Sequence, residues 1–244
     1  MFFQVPFFER VRFRAFALGT ALARSGSNKA RLRTGAVLYT PRMTVSALAI
    51  CGSPRINGNT HTLLQRCLDR LATQAVKGEL VTLAGKTMRG CTACGLCLET
   101  CDATCPGIAD DDFQPIFDKM VRADIIIVGS PVYFGSAAPE LIALLDRAGY
   151  ISRASGQVLS RKLGGPIAVA RRAGHNFTYA QLLMWYMIND MIVPGSSYWN
   201  VALAREPGAV NDDQEALVTI DRFADNLAWL ARKLETRSMA PTGA

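Results

Sequence analysis

The chain has 244 residues, half of them apolar, and a formal net charge of +7. That is enough for one α/β domain with a proper core, and no apolar run approaches the ~18 residues that span a bilayer, so a cytoplasmic protein with no membrane partner is expected. The charge argues against nucleic acid once it is mapped: Arg10, Arg12, Arg14, Arg24, Lys29, Arg31, Arg33 and Arg42 face one acid, Glu9, leaving residues 43–244 neutral.

Residues 1–42 form a basic, acid-poor, weakly amphipathic extension, as transit peptides do. Arginines interrupt the apolar stretch a secretory signal needs, and the extension also reads as a flexible tail or the product of an upstream start. The expected domain is 43–236, with a cysteine-rich insert at 88–110 and a C-terminal tail at 237–244. Without a secretion signal the compartment is expected to be reducing.

From residue 44 the pattern alternates. "TVSALAI" (44–50) reads as a strand, "GSPRINGNT" (52–60) as its loop, and the apolar positions through Ala75 as a helix with Thr60 as N-cap. "ELVTLAG" (79–85) reads as a second strand, followed by the cysteine segment and an acidic helix start at 110–121. "ADIIIVGS" (123–130) is a strand buried on both faces, and "APELIALLDRAG" (138–149) a helix with a glycine stop. "GPIAVA" (165–170), a helix over 178–191, a β-like stretch over 192–203 and a long amphipathic helix over 212–234 complete the series. Alternation of this kind predicts a parallel, doubly wound sheet.

Such a sheet binds ligands beyond the carboxyl ends of its strands. In "GSPRINGNT", Ser53, Asn57, Asn59 and Thr60 offer side-chain hydrogen bonds, Gly58 permits close approach, and Arg55 and the helix dipole favour an anion. This is a phosphate cradle, although neither a P-loop nor a GxGxxG fingerprint. "GSPVYFGSAAPE" (129–140) places Pro131, Tyr133, Phe134 and Gly135 where a flat heteroaromatic ring, or simply two core aromatics, would account for them. "ARRAGHNFT" (170–178) brings Arg171, Arg172, Gly174 and His175, the histidine fitting a structural or a chemical role.

"GSPRINGNT", "ADIIIVGSPVYFGS" and "RRAGHNFT…GSSYWN" together resemble the flavodoxin-like NADPH-dependent FMN reductases, and most nearly their iron–sulfur flavoprotein branch, over residues 44–235. The resemblance implies a five-stranded parallel sheet with helices on both faces and FMN as cofactor. It implies that Ser53, Arg55, Asn57, Gly58, Asn59 and Thr60 hold the FMN phosphate. Pro131, Val132, Tyr133, Phe134, Gly135 and Ser136 would border the isoalloxazine ring, and Ala173, Gly174 and His175 its pyrimidine side. It further implies a homodimer or homotetramer with the flavin near a subunit interface, NAD(P)H as co-substrate, and ferredoxin as a partner. No catalytic side chain is required, because the flavin carries the chemistry.

"GCTACGLCLETCDATCPG" (90–107) holds five of the seven cysteines. Alone it fits a disulfide framework, a metal or iron–sulfur site, a redox relay or an accident, and a reducing compartment disfavours disulfides. The resemblance adds a C-x2-C-x2-C-x4–7-C motif that ligates a [4Fe–4S] cluster, matched here by Cys91, Cys94, Cys97 and Cys105. Cys101 gives a competing C-x2-C-x2-C-x3-C run, like that of ferredoxins. Zinc suits four thiolates, but three cysteines at successive two-residue gaps suit a cubane better. Some relatives keep cysteines here without a cluster. Cys51 and Cys67 read as buried small hydrophobes.

Three functions follow: an electron-transferring iron–sulfur flavoprotein, a cluster-free NAD(P)H-dependent reductase of flavin, quinone or another small acceptor, and a non-catalytic redox sensor.

Overall fold

The structure is a computed structural model and describes residues 44–238; the basic extension and residues 239–244 lie outside the described residues. Strands β1 (Ser46–Cys51), β2 (Lys77–Thr82), β3 (Ile125–Pro131), β4 (Leu163–Ala170) and β5 (Val201–Leu203) alternate with helices. These are α1 (Asn59–Ala72), α2 (Leu96–Thr100), α3 (Phe113–Arg122), α4 (Pro139–Ala154), α5 (His175–Ile188) and α6 (Gln214–Ser238). All strand pairs are parallel, in the order β2-β1-β3-β4-β5, which is the flavodoxin-like arrangement.

The period-two alternation of β1 and β3 divides the core into two layers. Ala47, Ala49, Ile125 and Ile127 face α1 and α6, where they meet Leu64, Leu71, Phe223 and Leu227. Leu48, Ile50, Ile126 and Val128 face the other side, against Phe117, Leu144 and Tyr186 of α3, α4 and α5. A strand buried on both faces carries no polar side, which is why β3 reads as an unbroken apolar run. Among the described residues no helix is long and apolar enough to cross a membrane.

Several boundaries differ from expectation, each for a local reason. Gly58, not Thr60, occupies the N-cap of α1, and Thr60 is buried in the first turn. Gly149 does not stop α4; it gives way to a neighbouring helix, because a Cβ there would lie 3.2 Å from Trp185 Nε1. Gly174 at φ 85° lets α5 begin at His175, ahead of its apolar run. The stretch 192–203 yields only β5 and a single bridge between Leu163 and Ile192.

Tyr186 of α5 enters the β3–β4 ladder itself. Its hydroxyl accepts the Val128 N–H at 3.0 Å and lies 3.1 and 3.0 Å from the Ile126 and Gly165 carbonyl oxygens, to one of which it donates. Burial pushes that hydroxyl well above the ordinary tyrosine range, so it remains protonated. A side chain at Gly164 would overlap the Ile126 carbonyl, so glycine is what allows the ring in. Tyr186→Phe should leave these buried backbone groups unpaired and cost about 2 kcal/mol in denaturant unfolding; an unchanged midpoint would refute that role.

Candidate functional site

The loops after β1, β3 and β4 meet at the carboxyl edge of the sheet. The first leaves β1 through Gly52, whose N–H donates to the Gly129 carbonyl at 2.8 Å, joining it to the end of β3. Ser53 is 4% exposed and its hydroxyl accepts the Arg55 N–H at 3.2 Å. Asn57 at φ 57° turns the chain into Gly58, and no side chain caps α1. The N–H groups of Asn59, Thr60 and His61 therefore form an uncapped, positive helix end with no carbonyl four residues back to accept them. Arg55, in the same loop, is exposed.

Asn59 corrects one expectation. Its amide nitrogen donates to the Glu206 carbonyl and its amide oxygen accepts the Gly208 N–H, both at 2.9 Å. The side chain is committed to the segment after β5, so only its backbone N–H remains for an anion.

In the second loop Tyr133 and Ser136 exchange backbone hydrogen bonds of 2.9 and 3.0 Å around Phe134 (φ 51°) and Gly135 (φ 79°). Positive φ at both central residues is the signature of a tight I′-type turn. Phe134 stands fully in solvent at its tip, and Tyr133 is partly exposed, so neither is a core aromatic. Gln181 of α5 fixes the turn by accepting from Ser136 Oγ and the Ala137 N–H, each at 3.1 Å. The third loop packs on the second, since a Cβ at Gly174 would lie 3.1 Å from Val132 Cγ1. His175 opens α5 with its Nδ1 buried and unpartnered. The arrangement fits a flavin phosphate at the uncapped helix end and leaves one orphaned polar atom, at His175, beside the turn.

Two broader grooves, of about 550 and 680 Å³, follow α1 from its first turn and the C-terminal part of α6. Arg66 and Arg70 in the first are already matched by Asp221 and Asp225, so neither arginine is left for an anionic ligand.

The cysteine segment links β2 to α3. Cys91, Cys94, Cys97 and Cys105 line one cavity with Gly107, Arg147 and Tyr150. Burial pushes the Cys97 thiol up, and the neighbouring Cys91, Cys105 and Cys94 push the same way. Cys101 is outside this cavity: it caps α2 in a left-handed conformation and its thiol contacts the Leu98 carbonyl at 3.2 Å. The structure thus groups the Cys105 set and leaves Cys101 apart. Among the described residues no three His, Cys, Asp or Glu side chains converge as a single ion requires. Four thiols around one cavity nevertheless suit an iron–sulfur group chemically, and Gly107 makes way for one of them, since any Cβ there would lie 2.5 Å from Cys94 Sγ; the cavity between them is narrow, about 20 Å³. Cys51 and Cys67 are buried in the core, as expected.

The NADPH-dependent FMN reductase family model matches residues 45–206. The chain belongs to that family. An iron–sulfur flavoprotein of Methanocaldococcus jannaschii is 33% identical over 198 residues, covering 78% of this chain and 100% of the relative. An iron–sulfur flavoprotein of Methanosarcina thermophila is 29% identical over 180 residues, covering 73% and 91%. Among solved structures, RosB with a bound 8-demethyl-8-formylriboflavin-5′-phosphate intermediate shares the fold at TM-score 0.63 and 15% identity, covering 79% and 81%. The apo form of an NADH:FMN oxidoreductase does so at 0.55 and 18%, covering 77% and 90%.

Within this family member, sequence reasoning missed the supports behind the site. Gln181, Ser130 (whose hydroxyl accepts the Ala138 N–H at 2.9 Å) and the Asn59 clasp are polar groups serving backbone, and they leave no pattern in the sequence. Arg147 did leave one: a single cation inside "LIALLDRAG", 1% exposed and paired with the equally buried Asp111. Burial raises the Asp111 carboxyl, but hydrogen bonds from Arg147 and the Arg89 N–H outweigh it and hold it below the usual range.

Proposed function

We propose that the protein is an FMN-dependent oxidoreductase that also carries a [4Fe–4S] cluster on Cys91, Cys94, Cys97 and Cys105, and passes electrons between NAD(P)H or ferredoxin and a small acceptor. The observation that carries the reading is the sharing of one cavity by those four cysteines in an FMN reductase fold. FMN would supply hydride and single-electron transfer, which no side chain provides. The chain's own work is binding and orientation. Ser53, Asn57, Gly58 and Thr60, with Arg55 and the N–H groups opening α1, hold the phosphate; Asn59 joins them through its backbone. Pro131–Ser136 border the ring, with the turn locked by Gln181, while Ala173, Gly174 and His175 close the pyrimidine side.

Anaerobically purified protein should contain flavin, iron and acid-labile sulfide, and NADPH should bleach the flavin band in stopped flow. Flavin without iron or sulfide in properly loaded protein would leave the cluster-free reductase; no bleaching by either nicotinamide would point to a carrier such as ferredoxin.

Self-association belongs to the same reading. Phe177, Met184, Met187 and Ile188 leave an apolar stripe on α5, exposed by 77, 73, 66 and 64%. A stripe of that kind beside a ligand edge marks an interface, and a second copy of the chain would cover it. Met184→Glu with Ile188→Glu should convert the oligomer to monomer in light scattering and weaken FMN binding. A wild-type protein that is already monomeric would overturn this.

A further inference from the structure

Arg147 is the one buried charged residue in a helix stretch that otherwise buries Leu144, Leu145, Ala148 and Ile151, and it is 1% exposed. Its partners lie on the cysteine-bearing insert and at the entry to α3 that follows it. One terminal nitrogen donates to the Arg89 carbonyl at 3.2 Å and pairs with Asp111; the other donates to the Ile108 carbonyl at 3.0 Å. The guanidinium lies 4.0 Å from the Phe113 ring centroid. Nε–H is buried and has no acceptor.

A staple holding the insert to α4 would account for the terminal nitrogens. It would not account for the orphaned Nε–H, which costs about 1–3 kcal/mol without an acceptor. Nor would it require a charge in the wall of the cysteine cavity. Arg147 lines that cavity and Asp111 does not, so of the buried pair only the cationic residue borders the four cysteines.

We propose that Arg147 is a positioning residue that makes the group held by Cys91, Cys94, Cys97 and Cys105 easier to reduce, by fixing a buried positive charge in the cavity wall. The inference rests on the cluster reading above. Reduction would take up one electron from an external donor such as ferredoxin, form and break no bond, and leave one more negative charge on the group that the cysteines hold. A cation close by in a poorly solvated wall favours that state, and the Nε–H can donate to a sulfur.

The test is a potentiometric titration, followed by electron paramagnetic resonance, of cluster-loaded wild type, Arg147→Lys, Asp111→Asn and the double variant Arg147→Met/Asp111→Asn. The double variant removes both charges, so it leaves no unpaired ion in the core. It should reduce the cluster's reduction constant about tenfold, a midpoint lower by about 59 mV for one electron. Asp111→Asn, which unmasks the cation, should shift it the opposite way, and Arg147→Lys should stay within threefold of wild type.

Loaded double and Asp111→Asn variants that titrate with wild type, whatever their unfolding midpoints, would overturn the proposal. So would variants that fold and bind FMN yet lose the cluster, because that is the behaviour of a staple. A wild-type protein that takes up no cluster on reconstitution would sink the cluster reading itself, a result distinct from unmoved potentials.

Discussion

Cys105→Ser should lower iron and sulfide content by ~10-fold or more while leaving FMN bound, and Cys101→Ser should leave both intact, because a cubane needs four cysteine ligands. The two cysteines are four positions apart, and the spacing admits either. Three dimensions separate them. Cys105 lines the cavity with Cys91, Cys94 and Cys97, while Cys101 is held at the end of α2 with its thiol on the Leu98 carbonyl. Metal and sulfide assays on anaerobically reconstituted protein, with flavin released from the same sample, decide it. The reverse pattern would move the fourth ligand to Cys101 and require α2 to unwind its last turn.

Gly58→Asp should weaken FMN binding by ~100-fold, equivalent to about 2.7 kcal/mol, without unfolding the protein. Gly58 has an extended conformation (φ −75°, ψ 175°) that aspartate adopts readily. At an N-cap, its carboxylate would take the open N–H groups and satisfy the helix dipole. The same carboxylate would occupy the place of the phosphate and repel it. A Cβ there would meet Arg55 Cβ at 3.3 Å and the Arg55 carbonyl oxygen at 3.4 Å, contacts that the loop backbone has to relieve by a shift of a few tenths of an ångström. Fluorescence titration with FMN and thermal unfolding of the apoprotein should move apart: affinity falls, and stability holds or rises. Unchanged affinity would place the phosphate elsewhere.

The strand alternation and the turn-rich loops were legible in the sequence because each rests on local pattern. "ADIIIVGS" must be a strand buried on both faces, and "GSPRINGNT" reads as the loop from a strand to a helix that it forms. The use of each side chain was less legible. Asn59 looked like a phosphate ligand, yet it reaches across 147 residues to the Glu206 carbonyl. Gly149 resembled a helix stop, but its missing side chain serves the packing of Trp185. Both depend on contacts between distant segments, which composition and periodicity do not encode. Spacing does not choose between Cys101 and Cys105 for the same reason. A left-handed residue ending a five-residue helix directs one thiol away, and no spacing rule anticipates that.

The two halves of the cysteine segment are held to different degrees. Around Cys105, Gln114 accepts the cysteine N–H at 3.2 Å and donates to the Ala103 carbonyl at 3.0 Å, and Ser155 accepts the Ala103 N–H at 2.9 Å. Cys91 and Cys94 are exposed, and the stretch that carries them forms neither helix nor strand. Assembly and damage should therefore be directional. Iron would be acquired and surrendered from the outer edge, while the Cys105 edge keeps its shape through the exchange. A cluster on these four cysteines would then be stripped by oxygen and refilled without refolding, a serviceable part mounted on a permanent bracket.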